Sequence, residues 1–239
     1  MKVVILAGGK GTRISEYTRD IPKPMIRIGG KPILSHLIEY FQSYKFKEII
    51  IATGYKSNVI KNYYRSKKKF TNVKIVNSGK NTMTGGRILR LKKYFNKNDN
   101  FLLTYGDGIS NVNLNKLKKF HLRHKKLATV TAVRPAIRFG ELNVGKKNIV
   151  KKFEEKPQLK SGWVNGGFFI LNYKVFNFIK GDKMLFERQP MEKLAKKKNL
   201  IAFKHKGFWK CVDTLKDKLY LDEIYKKNKK KWFKSVTNR

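Results

Sequence analysis

Acidic residues are scarce in this chain. Sixteen Asp and Glu stand against fifty-six Lys and Arg in 239 residues, a formal net charge of +40. Such a balance often accompanies a polyanionic partner. Here, however, the lysines are spread through every segment, with short runs at Lys67–Lys69, Lys196–Lys198 and Lys229–Lys231 that carry little aromatic interleaving. No RNA- or DNA-binding motif accompanies them, so the excess reads as a solvated face that attracts phosphorylated small molecules at low salt. Cysteine is nearly absent. Cys211 stands alone, which excludes an internal disulfide framework and a thiolate metal cage. The four histidines (His36, His121, His124 and His205) have no ligand spacing and read as structural. No apolar run approaches the ~20 residues of a membrane span, and the opening lacks the basic-then-apolar pattern of a leader. A soluble, cytoplasmic protein with no membrane partner and no specific nucleic acid is expected.

What is present is a core. Hydrophobic residues make up 41% of the chain and aromatics 13%, too rich for disorder and enough for one sizeable α/β domain. Everything is organised around the opening stretch, Lys2 to Met25. Val3, Val4, Ile5 and Leu6 read as a buried strand. It runs straight into Ala7-Gly8-Gly9-Lys10-Gly11-Thr12-Arg13, where glycines let backbone N–H groups close on an anion. Arg13 offers a planar, permanently charged fork for phosphate oxygens. Lys23 is presented rigidly between Pro22 and Pro24. The spacing matches neither the P-loop, which needs Lys and then Ser or Thr after its last Gly, nor the G-x-G-x-x-G dinucleotide fingerprint. A different nucleoside triphosphate site is indicated.

Further along, helical spacing over Pro32–Tyr44, a strand at Glu48–Ala52, a helix at Val59–Arg65 and a strand at Val73–Val76 alternate at short intervals. That pattern predicts a mostly parallel sheet covered on both faces, with ligands beyond the carboxyl ends of its strands. Asn81–Arg87 (NTMTGGR) opens a helix with a threonine as its cap. Phe101–Tyr105 is a central strand ending in Gly106-Asp107-Gly108, where an acid is well placed to hold a hard cation such as Mg²⁺. A helix from Asn113 and a strand at Ala128–Val133 follow. Two hairpin strands around Gly145 lead to Glu154-Glu155-Lys156-Pro157. Val164-Asn165-Gly166-Gly167 precedes a strand at Phe168–Leu171. A helix over Glu187–Lys196 and a strand at Leu200–Phe203 come next. Val212-Asp213-Thr214 then caps a last helix whose apolar positions are Leu215, Leu219, Leu221 and Ile224.

The strings LAGGKGTR, PKPM, YGDG, FEEKP, NGGFF and VDT, in this order over nearly the whole chain, resemble the sugar-1-phosphate nucleotidyltransferases. NTMTGGR, NGGFF and GFWKCVDTLKDK look most like the glucose-1-phosphate cytidylyltransferases within that family. The resemblance implies a Rossmann-like α/β fold of the glycosyltransferase A-like type. It also implies a single domain over 1–239, with a nucleotide-binding half at about 1–110, a sugar-binding half at about 111–225 and a basic tail at 226–239. The reaction implied is cytidylyl transfer from CTP to glucose 1-phosphate, giving CDP-glucose for the dideoxysugars of surface polysaccharide.

Carried over residue by residue, Arg13 and Lys23 are catalytic. Leu6, Ala7, Gly8, Gly9, Lys10, Gly11, Thr12, Arg13, Lys23, Thr82, Arg87 and Gly106 bind the nucleotide. Glu155, Lys156, Asn165 and Gly166 bind the sugar phosphate, and Asp107 and Asp213 hold Mg²⁺. The partners implied are CTP and glucose 1-phosphate, with a homo-oligomer as the assembly. One departure stands out: the family carries an insertion where Tyr64 here reaches Val73 almost directly. The same chemistry with UTP, dTTP or another phosphorylated acceptor is the first alternative. A basic RNA- or lipid-binding scaffold is the second; it would be expected to have lost Lys23, Asp107 or Asp213, and all three are present.

Overall fold

The computed structural model describes residues 1–65, 67, 70–136, 139–155, 157–158 and 162–227. Its seven-stranded sheet contains β1 (Val3–Ala7), β4 (Ile49–Thr53), β5 (Val73–Asn77), β6 (Asn100–Tyr105), β8 (Ala128–Val133), β11 (Val164–Asn172) and β12 (Leu200–Lys204), in the order β12-β8-β11-β6-β1-β4-β5. Three short ladders stand outside it: β2 (Arg27–Ile28) with β3 (Lys31–Pro32), β7 (Gly108–Ser110) with β13 (Trp209–Cys211), and β9 (Glu141–Val144) with β10 (Val150–Glu154). The helices are α1 (Ser15–Thr18), α2 (Ile33–Ser43), α3 (Ser57–Arg65), α4 (Thr84–Arg90), α5 (Leu114–His124), α6 (Gln189–Lys196) and α7 (Leu215–Lys227).

Period-2 alternation in β1 divides the core into two layers. Val3, Ile5 and Ala7 face one cluster with Leu34, Leu37 and Phe41 of α2 and Leu117 of α5. Val4 and Leu6 face the other, with Ile88 of α4, Phe186 and Leu194 of α6. All five β1 residues are buried, as a central strand covered on both faces requires. The mixed α/β architecture expected from the alternation is present.

Three details depart from the sequence reading. First, β11 runs antiparallel between β6 and β8, and it starts four residues before the expected Phe168. Its register shifts between Asn165 and Phe169, where Gly167 takes φ +78° and a Cβ would lie 2.7 Å from the Tyr105 ring. The paired glycines therefore make an irregularity that brings this strand against the end of β6. Second, α4 has no side-chain cap; Met83 occupies the capping position, and the Thr84 hydroxyl is used elsewhere. Third, Leu215 and Leu219 of α7 are exposed. The helix instead meets the core through Leu221, Ile224 and Tyr225. Tyr225 lies over Gly29 and packs edge-on against His36. Asp222 accepts the Gly29 N–H at 2.7 Å, so the turn between β2 and β3 decides which face of α7 is buried.

Candidate active site

Parallel pairing of β1 with β4 and β6 brings three strand ends to one edge of the sheet, with Leu6 opposite both Ala52 and Tyr105. The loops that leave those ends line a cleft of about 330 Å³. Its floor is Leu6, Ala7, Gly8, Gly9, Gly11 and Thr12. Gly11 sits at φ +68°, which only glycine adopts without strain, and turns the chain into Thr12 and Arg13. At Gly106 a Cβ would lie 2.8 Å from Pro24 and 3.1 Å from the Leu6 carbonyl. The glycine thus lets the strand bearing Asp107 close on the segment bearing Lys23.

Lys23 is 6% exposed. Its ammonium donates to Asp107 Oδ2 at 2.6 Å and Asp213 Oδ1 at 2.7 Å. Arg13 donates to the other oxygen of Asp213 at 2.8 Å, while most of its side chain remains in solvent. Burial alone would lower the Lys23 pKa, but the two carboxylates outweigh it and hold the ammonium above the ordinary lysine value. Burial works against the Asp213 carboxylate too. Lys23 first, and then Arg13, bring it below the ordinary carboxylate value. Cys211 lies 3.4 Å from Asp213 Oδ2. Burial, then Asp213 and Asp107, push its thiol up to about 12, so it is a neutral neighbour at physiological pH.

Asp213 is held from behind. Asp217 Oδ2 accepts the backbone N–H groups of Asp213 and Thr214 at 3.0 and 2.9 Å, and its Oδ1 pairs with Lys210 at 2.6 Å. Burial raises the Asp217 pKa, but Lys210, Thr214 and the Asp213 amide lower it further than burial lifts it. Both carboxylates are thus depressed in the fold. Their stabilising contribution is complete above the unfolded carboxylate value and is lost as pH falls through the folded values. Burial also lowers the pKa of His36, His121, His124 and His205, so the thermal midpoint is expected to begin falling below about pH 6.5 and to fall further below about 4, where the two carboxylates add their share. In Asp217→Asn the acid loss should be smaller, and a midpoint profile identical to wild type would remove Asp217 from this account.

Arg87 lies beneath the glycine loop, 4% exposed. NH1 donates to Thr53 O, Ser78 Oγ and Gly79 O, and NH2 donates to Gly8 O at 2.8 Å. A Cβ on Gly8 would lie 2.1 Å from NH1. Arg87 lines the cleft, but its guanidinium is engaged in tying three strand-end loops together. In this structure it is a positioning residue for the loop. Thr82 is buried along the same wall.

Not every expected residue meets here. Lys10 is exposed and lies outside the cleft lining. Asn165 and Gly166 lie outside the lining of this cleft, next to Gly167, which packs against Tyr105; the Asn165 side chain accepts the Gly167 N–H at 2.8 Å, and Trp209 Nε1 donates to Gly166 O at 2.7 Å. Glu155 follows β10, near Gly140. Lys156 and most of the basic tail lie outside the described residues.

The family model of the nucleotidyl transferases matches residues 2–228. The chain belongs to that family. It is 41% identical to the glucose-1-phosphate cytidylyltransferase of Salmonella typhimurium, covering 97% of this chain and 98% of the relative. The alignment spans 254 positions, more than the 239 residues here, so the relative carries insertions that this member of the family lacks. It is also 38% identical to a D-glycero-alpha-D-manno-heptose 1-phosphate guanylyltransferase of Campylobacter jejuni, over 83% of this chain and 88% of that one. Among solved structures, HddC from Yersinia pseudotuberculosis complexed with GMP-PN has a TM-score of 0.74 at 28% identity, covering 94% of this nucleotidyl transferase and 99% of HddC.

Sequence reasoning picked out the Thr84 hydroxyl without a role for it, and missed Tyr105, which lines the cleft with Thr84, Glu187, which bonds to both, and the Asp217 support. Glu187 sits in an unremarkable Phe-Glu-Arg string. It reaches the site only because Gly181–Phe186 pairs with the start of α4.

Proposed function

We propose that this protein transfers a cytidylyl group from CTP to glucose 1-phosphate, giving CDP-glucose and pyrophosphate. The observation that carries the reading is the Lys23 ammonium shared by Asp107 and Asp213 at the mouth of the glycine-loop cleft. The full-length similarity to an enzyme of that name supports it. In the transfer, an oxygen of the sugar phosphate attacks the α-phosphorus. The bond from that phosphorus to the oxygen bridging it to the β-phosphate breaks, and pyrophosphate leaves with that oxygen. Both reactants are anions, so orientation and fixed cations dominate the barrier.

The glycine-loop amides hold the triphosphate. Lys23, already stiffened by flanking prolines, bridges the α-phosphate and the incoming phosphate. Arg13 neutralises the departing pyrophosphate. Two carboxylates from separate strand ends meeting around one cation are a donor set that suits Mg²⁺, which binds through one or two carboxylates together with substrate phosphates. Asp107 and Asp213 would hold it, and it would neutralise charge on the α-phosphate and the attacking oxygen. Thr82 faces the base, and Asn165, Gly166, Glu155 and Lys156 serve the sugar phosphate. The enzyme works as a homo-oligomer in the cytoplasm, at the entry to dideoxyhexoses of surface polysaccharide.

The similarity to a guanylyltransferase and to a protein complexed with GMP-PN makes the base the point to test. Pyrophosphate release is measured with Mg²⁺, glucose 1-phosphate and CTP, UTP, dTTP, GTP or ATP in turn. Release with CTP is expected to exceed each of the others by about tenfold or more. Preference for GTP would overturn the cytidylyl reading. Release with none would move the acceptor away from glucose 1-phosphate.

A further inference from the structure

Glu187 joins two walls of the cleft that come from distant parts of the chain. Its Oε1 accepts from the Tyr105 hydroxyl and its Oε2 from the Thr84 hydroxyl, both at 2.5 Å. The Thr84 oxygen in turn accepts the Phe186 N–H at 2.9 Å. The segment that carries Glu187 is held by backbone bonds to the start of α4: Met83 N–H to Asp182 O at 2.8 Å and Gly85 N–H to Met184 O at 2.9 Å. Close contact demands glycine there, since a Cβ on Gly85 would lie 2.6 Å from Met184 O. The carboxylate is thus fixed by the fold, not drawn in by chance.

This arrangement has a chemical consequence. A hydroxyl has one proton, and both protons are committed to Glu187. Burial and the neighbouring Glu187 push the Tyr105 phenol up further than Asn165 lowers it, so it stays protonated. What Tyr105 and Thr84 have left to offer a ligand is acceptor capacity. The phosphates are poor neighbours for a carboxylate, so this wall serves an uncharged part of the reactants. Tyr105 lies against Gly167, next in the chain to Asn165 and Gly166, to which the reading above gives the sugar phosphate, and so belongs to the sugar side on that reading.

We propose that Glu187 is a specificity-determining residue: by taking the protons of Tyr105 and Thr84 it turns this wall into an acceptor surface for the ring hydroxyls of the sugar phosphate. Sugar phosphates that cannot donate a hydrogen bond at the matching position are rejected. The proposal rests on the sugar 1-phosphate reading above.

The test compares kcat/KM for glucose 1-phosphate with its 2-, 3-, 4- and 6-deoxyfluoro analogues, in which fluorine cannot donate. With the wild-type enzyme at least one analogue should fall by a factor of ~10 or more, as an unpaired acceptor in a buried site requires. In Glu187→Gln the amide can donate to one hydroxyl and release its proton toward the ligand, so that ratio should shrink to about threefold or less. The preference for CTP over UTP should not move. Tyr105→Phe keeps the ring and removes the hydroxyl; it should narrow the same ratio, and it decides the matter if Glu187→Gln does not fold. An unchanged fluoro ratio in a folded, active variant, or a shift in the CTP preference alone, overturns the proposal. Absence of turnover with glucose 1-phosphate in the wild type overturns the functional reading itself.

Discussion

Lys23→Ala is expected to lower turnover by at least ~100-fold, the loss that follows removal of a fixed charge-stabilising donor. The same substitution should also blunt the loss of stability in acid. In the wild type the Lys23 ammonium lies within hydrogen-bond distance of both Asp107 and Asp213, and its presence lowers the Asp213 pKa. Without it, two carboxylates face each other at the edge of the sheet, and such a pair binds a proton on folding. A group whose folded pKa is raised adds stability as pH drops toward that value. The variant should therefore lose less thermal stability than the wild type between pH 7 and 5, and Mg²⁺ should stabilise it at pH 7. Thermal unfolding across that pH range, with and without Mg²⁺, reads both effects beside kcat. A drop in turnover of less than about tenfold would mean that another cation spans the phosphates, with Arg13 the candidate by position.

That pairing was half legible in the sequence. A β-branched strand, a glycine turn, and a lysine between prolines each carry a local physical signature, and Asp107 sits between glycines at the end of a buried strand. Asp213 was reached only through the resemblance, because nothing local marks Val212-Asp213-Thr214 as more than a helix start. The direction of β11 was hidden for a related reason: an apolar run such as Phe168–Leu171 reads the same whichever way it pairs. Arg87 stood out as a cation near two glycines. Its role needed the fold, since its acceptors come from Gly8, Thr53 and Gly79. Glu187 was invisible because its partners lie 82 and 103 residues away. The exposed Leu215 and Leu219 show the converse, a periodic pattern overruled by where Tyr225 and Asp222 anchor the helix.

Asp107→Asn is the substitution that separates metal binding from folding. Asp107 and Asp213 contact the same ammonium, but they differ in what else depends on them. The Asp107 side chain is 27% exposed and that of Asp213 10%. Asp213 also holds Arg13 and sits on the amide network of Asp217, so neutralising it disturbs several partners together. Asp107 joins β13 through its backbone carbonyl, which accepts the Val212 N–H at 3.0 Å whatever the side chain. An asparagine at 107 keeps the volume and one acceptor for Lys23 while removing the charge. Turnover with Mg²⁺ is expected to fall by about 1000-fold or more, with the Mg²⁺ concentration for half-maximal activity displaced upward. The thermal midpoint without metal should stay within about 3 °C of wild type, because the buried Lys23 ammonium keeps Asp213 as its charged partner and the amide oxygen as an acceptor. Near-normal turnover in a folded Asp107→Asn enzyme would take Asp107 out of the metal site and leave Asp213, with the substrate phosphates, as the protein's share of the coordination. A collapse of the fold would instead show that the Lys23 bridge is structural first, because a neutral partner at one end had been enough to undo it.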